Sequence, residues 1–222
     1  VVLLSDKEVG MTLESVEMDG LRRIPVAARR SLADGGPPGG ARPPFVAYMI
    51  ECPEEPPVFA PVGGDVRVVA TGSAHDKSGR LRKNAPEVLE LLAHLREKIE
   101  AHAGEMCLVE QELEPNAETL VISYGITARA AHQACRDLRR GAGRPATRIS
   151  FLQPLTLFPV ASTAIMAAAE RARRVVIAEE NLSGLYAGVL EPLLAGKRVI
   201  RVNRLGRLIT PGEIIAAVEA AP

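Results

Sequence analysis

Three polar clusters in this chain have residue types and spacings that chemistry could use. The first is Thr71-Gly-Ser-Ala-His-Asp-Lys-Ser-Gly-Arg-Leu-Arg-Lys-Asn84, which sets His75 beside Asp76 after a strand-like run, Val66–Ala70. A histidine near a carboxylate has the form of an acid–base pair. Adjacent residues do not generally point the same way, so the plainer alternative is a polar loop in which Asp76 caps a turn. The second cluster is Tyr124-Gly-Ile-Thr127, where a helix is expected to begin at the end of a strand. Free amides and the helix dipole attract anions there, and Thr127 is also placed to serve as a cap. The third is Glu179-Glu-Asn181-Leu-Ser183-Gly184, in which two carboxylates, an amide and a hydroxyl converge where another helix begins. The candidates for contact with a ligand or a partner subunit are therefore His75, Asp76, Tyr124, Thr127, Glu179, Asn181 and Ser183, with turn and capping chemistry as the alternative for each. No residue is assigned a catalytic or metal-binding role.

The elements that must hold these residues follow from hydrophobic periodicity. Short apolar runs at Thr119–Tyr124, Thr147–Leu152, Arg174–Glu179 and Lys197–Asn203 read as strands. Between and after them, Ala128–Arg140, Ser162–Arg173, Ser183–Leu194 and Pro211–Ala220 read as helices, the first stopped by Gly141-Ala-Gly143. Continuous apolar strands alternating with helices imply a mostly parallel sheet covered on both faces, an α/β/α arrangement of three layers. Upstream, Val88, Leu91, Leu92, Leu95 and Ile99 fall at helical spacing, with Asn84 as the expected N-cap and Pro86 in the first turn. Val1–Leu4 reads as an orphan strand that needs a sheet completed elsewhere. Residues 31–44, SLADGGPPGGARPP, and the Pro-rich Glu51–Pro57 read as an extended arm. The division expected is an arm over 1–63 and an α/β domain over 64–222.

Composition narrows the function classes. The chain has 222 residues, with 27 Lys+Arg balancing 27 Asp+Glu and only 3 % aromatic residues. No bulk charge points to nucleic acid or membrane, and the scarcity of aromatics argues against a base-stacking platform. The three cysteines, Cys52, Cys107 and Cys135, are far apart and form no C-x-x-C, so cysteine alone supplies neither an iron–sulfur cluster nor a zinc site. A reducing cytoplasm is the compartment that fits. G-x-G-x-x-G, the P-loop and G-x-S-x-G are absent. Gly64-Asp65-Val66 starts like the Mg²⁺-binding Gly-Asp-Gly of thiamine diphosphate enzymes, but lacks the second glycine and a later Asn-Asn. Arginines crowd 129–148, and Lys197, Arg198, Arg201, Arg204 and Arg207 have no acidic neighbour between Pro192 and Gly212. These are expected to be solvated faces, or a basic surface for an acidic redox partner or a phosphate-rich cofactor.

Taken in order, several segments resemble one family. VVLLSDKEVGMT at 1–12 looks like the last strand and exit of the pyrimidine-binding domain of 2-oxoacid:ferredoxin oxidoreductase alpha subunits. RVVATGSAHDKSGRLRKNAPEVLELLAHLREKIE at 67–100 is similar to the strand, His-Asp loop and basic helix of the 2-oxoglutarate branch. ETLVISYGITARAA, FLQPLTLFP, RRVVIAEENLSGL and GRLITPGEI follow in the family's order. The chain departs from the family at Lys77, where an acidic residue is usual, and in the Gly/Pro insert at 35–44.

The resemblance implies a C-terminal part of such an alpha subunit, with a transketolase C-terminal-like domain. The chain is either a natural split subunit or part of a longer one. The family reaction is oxidative decarboxylation of a 2-oxoacid to an acyl-CoA. It uses thiamine diphosphate, Mg²⁺ and iron–sulfur clusters expected in other domains or subunits, and electrons pass to ferredoxin. Implied partners are the beta subunit, the rest of the alpha subunit, ferredoxin and coenzyme A. No chemical role carries over to His75 or Asp76. The alternatives are an assembly module without an enzyme role, or a domain of a transketolase or E1-type thiamine enzyme.

Overall fold

Leu120, Val121 and Ile122 form an apolar run without polar alternation, a pattern suited to a strand buried on both faces, and all three are fully buried. In the computed structural model, which describes residues 2–22, 25, 28, 31–32, 45–50, 52–64, 66–141, 143 and 145–220, this run is the middle of a five-stranded sheet. The chain divides into two compact units, one of Val1–Glu14 with Glu105–Pro222 and one of Ser15–Gly104.

The first unit holds α1 (Lys7–Met11) and then, after α4 (Ala103–Met106) at the division, an alternation of strands and helices. These are β1 (Val109–Glu112), β2 (Thr119–Ser123), α5 (Gly125–Arg140), β3 (Ser150–Pro154), α6 (Ser162–Ala169) and β4 (Arg174–Glu179). They continue as α7 (Leu185–Leu190), a 3₁₀ turn (Glu191–Leu194), β5 (Arg198–Asn203) and α8 (Pro211–Glu219). The strand order is β1-β3-β2-β4-β5. β3, β2, β4 and β5 run parallel, and β1 closes one edge antiparallel to β3.

Strand residues alternate between two cores, as a period of two requires. Val121, Val176 and Ala178 pack with Ala131, Cys135 and Leu138 of α5 and with Ile214 and Val218 of α8. Their strand neighbours Leu120, Ile122, Val175 and Ile177 pack with Ile165 of α6 and Leu190 of α7. Alanines at 128, 131 and 134 on the buried face of α5 let its backbone approach the sheet closely. Leu138, fully buried, contributes about 2 kcal/mol to this packing.

β1 is polar, Val-Glu-Gln-Glu, and mostly exposed, so no apolar pattern announces it. Arg139 of α5 pins it. Its guanidinium donates to the carbonyl of Ile149 at 2.9 Å, to the carbonyl of Glu112 at 3.2 Å and to the Glu112 carboxylate. Arg139, and then His132 with Nε2 2.7 Å away, hold the Glu112 carboxyl below its usual pKa.

The second unit contains α2 (Met18–Arg22), α3 (Pro86–Ala101) and irregular chain. Several expectations are corrected here. Val66–Ala70 forms no strand: it has no ladder partner and stays half-buried or exposed, and an unpaired run leaves its backbone groups to water. Asn84 is not the N-cap of α3. It sits at φ +56° and Ala85 takes the cap position, while Pro86 does occupy the first turn. On α3, Val88, Leu91 and His94 are buried, whereas Leu92 and Leu95 are about half exposed.

In the first unit Val2, Leu3 and Leu4 are exposed and belong to no strand. The helix expected over 162–173 ends at Ala169. That expected over 183–194 is α7 followed by a 3₁₀ turn, because Pro192 has no N–H to continue an α-helix. Residues 33–44 of the Gly/Pro stretch, with Glu51, Asp65 and Arg144, lie outside the described residues.

Candidate functional site

The carboxyl ends of β2 and β4 bring together most of the candidate residues. β4 ends at Glu179, whose side chain is buried. A buried carboxylate needs donors on its lone pairs, and four converge on this one. The Tyr124 hydroxyl donates to Oε2 at 3.1 Å, the Asn181 amide at 2.6 Å and the Tyr186 N–H at 3.0 Å. The Ala187 N–H donates to Oε1 at 3.0 Å. Asn181 Oδ1 in turn accepts the N–H groups of Gly184 at 2.7 Å and Leu185 at 3.1 Å. Glu179 and Asn181 thus satisfy the first-turn amides of α7, which have no partner inside the helix.

Neighbouring groups are equally committed. Glu180 Oε1 accepts the Thr127 hydroxyl at 3.0 Å and the Ile209 N–H at 3.2 Å, joining α5 to the segment before α8. Thr127 is therefore not the N-cap of α5. The helix starts three residues earlier than expected, at Gly125, with Tyr124 in the cap position. The first-turn N–H of Ile126 donates to the Asp6 carboxylate at 2.7 Å. The anion site expected at this helix start holds a carboxylate from the chain itself. Ser183 is exposed and lies before α7 rather than in it; its carbonyl accepts Arg201 Nη1 at 3.0 Å.

Two phenols here titrate abnormally. Burial, then the charge of Glu179, raises Tyr124 well above the usual phenol range. Burial, then the neighbouring Cys107, pushes Tyr186 up to about 12, and the buried Tyr186 hydroxyl has no hydrogen-bond partner. Both phenols stay protonated at neutral pH.

His75 and Asp76 lie in the other unit and do not form an acid–base pair. Asp76 Oδ1 accepts the N–H groups of Ser78 at 2.9 Å and Arg80 at 3.1 Å and the Ser78 hydroxyl; Oδ2 faces Arg82 Nε at 3.4 Å. The Ser78 hydroxyl above all, opposed by desolvation and helped by the other donors, lowers the Asp76 pKa to about 2. Its role is to build the turn. His75 Nδ1 lies 2.9 Å from the Asp76 carbonyl, and its ring packs on Tyr48 with centroids 4.2 Å apart. Gly79 closes the turn at φ +83°, where a Cβ would fall 2.1 Å from the Val69 carbonyl oxygen. No side chain fits there.

The expected basic surface is partly neutralised. Arg201 pairs with Glu191, and Arg204 and Arg207 converge on Glu213, which also completes the capping box of α8 with Thr210. Arg129 pairs with Glu14, and Arg139 with Glu112. These carboxylates lie outside the sequence windows that looked purely basic. Among the described residues no group of three His, Cys, Asp or Glu side chains could hold a metal ion, and no helix is long and apolar enough to cross a membrane.

No family model matches the chain. It is similar to the 2-oxoglutarate synthase subunit KorA of Methanothermobacter marburgensis, with 30 % identity over 217 residues that cover 97 % of this chain and 54 % of that protein. The KorA subunit of Methanothermobacter thermautotrophicus is 29 % identical over 218 residues, with the same coverage. The chain spans about half the length of these curated relatives. Among solved structures, it shares its fold with part of a 2-oxoglutarate:ferredoxin oxidoreductase from Magnetococcus marinus. The TM-score is 0.69 at 19 % identity, covering 90 % of this chain and 33 % of that one.

Proposed function

We propose that this chain is the C-terminal part of the alpha subunit of a 2-oxoglutarate:ferredoxin oxidoreductase, and that its own task is assembly rather than chemistry. The observation that carries this reading is the similarity to KorA along 97 % of the chain. In this reading residues 1–63 are the end of a pyrimidine-binding domain with its linker arm, and 64–222 a three-layer α/β/α domain of the transketolase C-terminal type.

The chemistry of the side chains supports a non-catalytic role. The polar groups at the carboxyl end of the sheet are spent on one another: Glu179 on α7, Glu180 on Thr127 and Ile209, Asp6 on α5. They do not fit thiamine diphosphate with Mg²⁺ or an iron–sulfur cluster, which we assign to other domains or subunits. When bound there, thiamine diphosphate supplies the carbanion chemistry of decarboxylation. The residues of this chain hold the ends of β2, β4 and β5 in place.

The segments after β3, β4 and β5 are also suited to being covered. Phe158, after β3, is 78 % exposed, Leu182 and Leu185, after β4, are 77 % and 68 %, and Leu205, after β5, is 69 %. Large apolar side chains at the ends of three successive parallel strands suit a subunit interface better than open water. The partners in this reading are the beta subunit and the remainder of the alpha subunit, with ferredoxin and coenzyme A acting on the whole cytoplasmic complex.

The test is to capture the chain from its native extract, identify what accompanies it, and assay the captured material for dye reduction dependent on 2-oxoglutarate and coenzyme A. A thiamine-binding, iron–sulfur partner with that activity supports the proposal. Reduction of lipoyl protein in place of a viologen dye or ferredoxin would assign the chain to an E1-type enzyme. Capture without any thiamine-binding partner would leave an assembly module and end the enzyme reading.

A further inference from the structure

The Ser15–Gly104 unit carries a half-open cavity of 480 Å³ between Tyr48, Ile50, Pro56 and Pro57, the 71–75 loop and one face of α3. This volume falls within the ~300–1,000 Å³ usual for small-molecule sites. Its walls are mainly apolar, from Ile50, Pro56, Pro57, Val88 and Leu91.

One polar side chain among these walls has no explanation within the fold. His94 is 5 % exposed, lines the cavity, and neither of its ring nitrogens has a hydrogen-bond partner. Burying an imidazole in this way is costly, because polar groups taken out of water need partners. A leucine would suit the apolar face of α3 better. Lys98 stands four residues further along α3, on the same side of the helix, and also lines the cavity. Among the described residues no acidic side chain lines it.

We propose that this cavity binds a small amphipathic carboxylate, an aliphatic or aryl acid whose carboxylate lies between His94 and Lys98 and whose apolar body rests against Ile50, Pro56, Val88 and Leu91. A carboxylate accepts from an imidazole N–H and an ammonium group together. A single negative charge matches the single lysine, whereas a phosphate dianion would leave excess charge among apolar walls. A diacid would bring a second charge to mainly apolar walls that hold a single lysine, so 2-oxoglutarate is not the ligand expected here.

The test is photolabelling of the protein in its native assembly with an alkyl diazirine carboxylic acid, followed by mass-spectrometric mapping and competition. Labels are expected on peptides spanning 48–57 and 88–98. Octanoate should compete at least about tenfold better than octanol, the loss expected when a charge-assisted hydrogen bond is removed. Lys98→Met keeps the apolar stem and helix propensity, and should lower labelling and octanoate competition by a similar factor. No labelling of these peptides, equal competition by octanol or by 2-oxoglutarate, or labelling unchanged in Lys98→Met would each overturn the proposal.

Discussion

The Tyr124 hydroxyl donates to the Glu179 carboxylate at 3.1 Å across the ends of β2 and β4, two strands paired side by side in the sheet. That bond is one of four donors that close on a single buried carboxylate. Glu179→Ala would strand two backbone N–H groups, an amide and a phenol around a buried position. The expected loss of stability is roughly 3 kcal/mol. Glu179→Gln should rescue little, because its amide N–H₂ must face at least one of the same donors. Tyr124→Phe removes one donor only and should cost about 1 kcal/mol. Chemical denaturation of the three variants checks this order. Equal losses for Tyr124→Phe and Glu179→Ala would show that the carboxylate does not organise the start of α7.

Tyr186 supplies the opposite case, a buried hydroxyl without a partner. Removing that hydroxyl relieves a desolvation cost, so Tyr186→Phe should leave stability at neutral pH unchanged or raise it by up to about 1 kcal/mol. The pH dependence follows from a phenol raised, by burial and then Cys107, from 10.0 to about 12. The unfolded chain ionises first, so the contribution of the protonated phenol is fully present below pH 10 and is lost as pH rises through about 12. Denaturation midpoints of the wild type should therefore fall across that window. The fall should be shallower in Tyr186→Phe, with the remainder owed to Tyr124, which is raised in the same direction.

What the sequence makes legible is what local pattern encodes. The runs at Leu120–Ile122 and Val175–Ala178, and the buried spacing of Ala131, Cys135 and Leu138, locate the central strands and α5. β1 escapes because an edge strand of Val-Glu-Gln-Glu has no apolar alternation to betray it. Val66–Ala70 misleads for the converse reason, an apolar run with no neighbour to pair with. At the candidate site the residue types are legible and their partners are not. Glu179 finds Tyr124 across 55 positions, Ile126 finds Asp6 across 120, and Arg207 finds Glu213 just outside the basic window. Chemistry read from neighbours in sequence overestimates how free such groups are, because tertiary pairing is decided by the sheet order.

Asp76 makes a prediction specific to its loop. Its carboxyl is lowered from 3.8 to about 2, first by the Ser78 hydroxyl and then by the other donors around it. A depressed pKa means that its contribution is present above pH 3.8 and lost as pH falls towards about 2. Amide hydrogen exchange at Ser78 and Arg80 should accelerate through that window while the amides of β2 stay protected. Asp76→Ala should give the fast exchange at neutral pH, and Asp76→Asn, which keeps one acceptor oxygen, an intermediate rate. Exchange at Ser78 that ignores both pH and substitution would mean that Gly79 and the backbone bonds hold the turn without the carboxylate.

Gly125 and Asp6 are coupled at the start of α5. Gly125 has φ +59°, and a Cβ on it would lie 2.6 Å from Asp6 Oδ2, the atom that accepts the Ile126 N–H. Gly125→Ala therefore acts twice, through left-handed backbone strain and through expulsion of the Asp6 carboxylate from its donor. Strain alone should cost about 1 kcal/mol, and loss of the capping bond about 1 kcal/mol more. Asp6→Ala should cost only the second amount and should speed proteolysis within residues 2–14, because Asp6 tethers that segment to α5. The double variant separates the two effects. If expulsion is real, Gly125→Ala in the Asp6→Ala background costs only the strain, and the double variant is about 1 kcal/mol more stable than the sum of the single losses would make it. Strict additivity would mean that the Asp6 side chain moves aside without giving up its bond, and that the glycine serves the backbone turn alone.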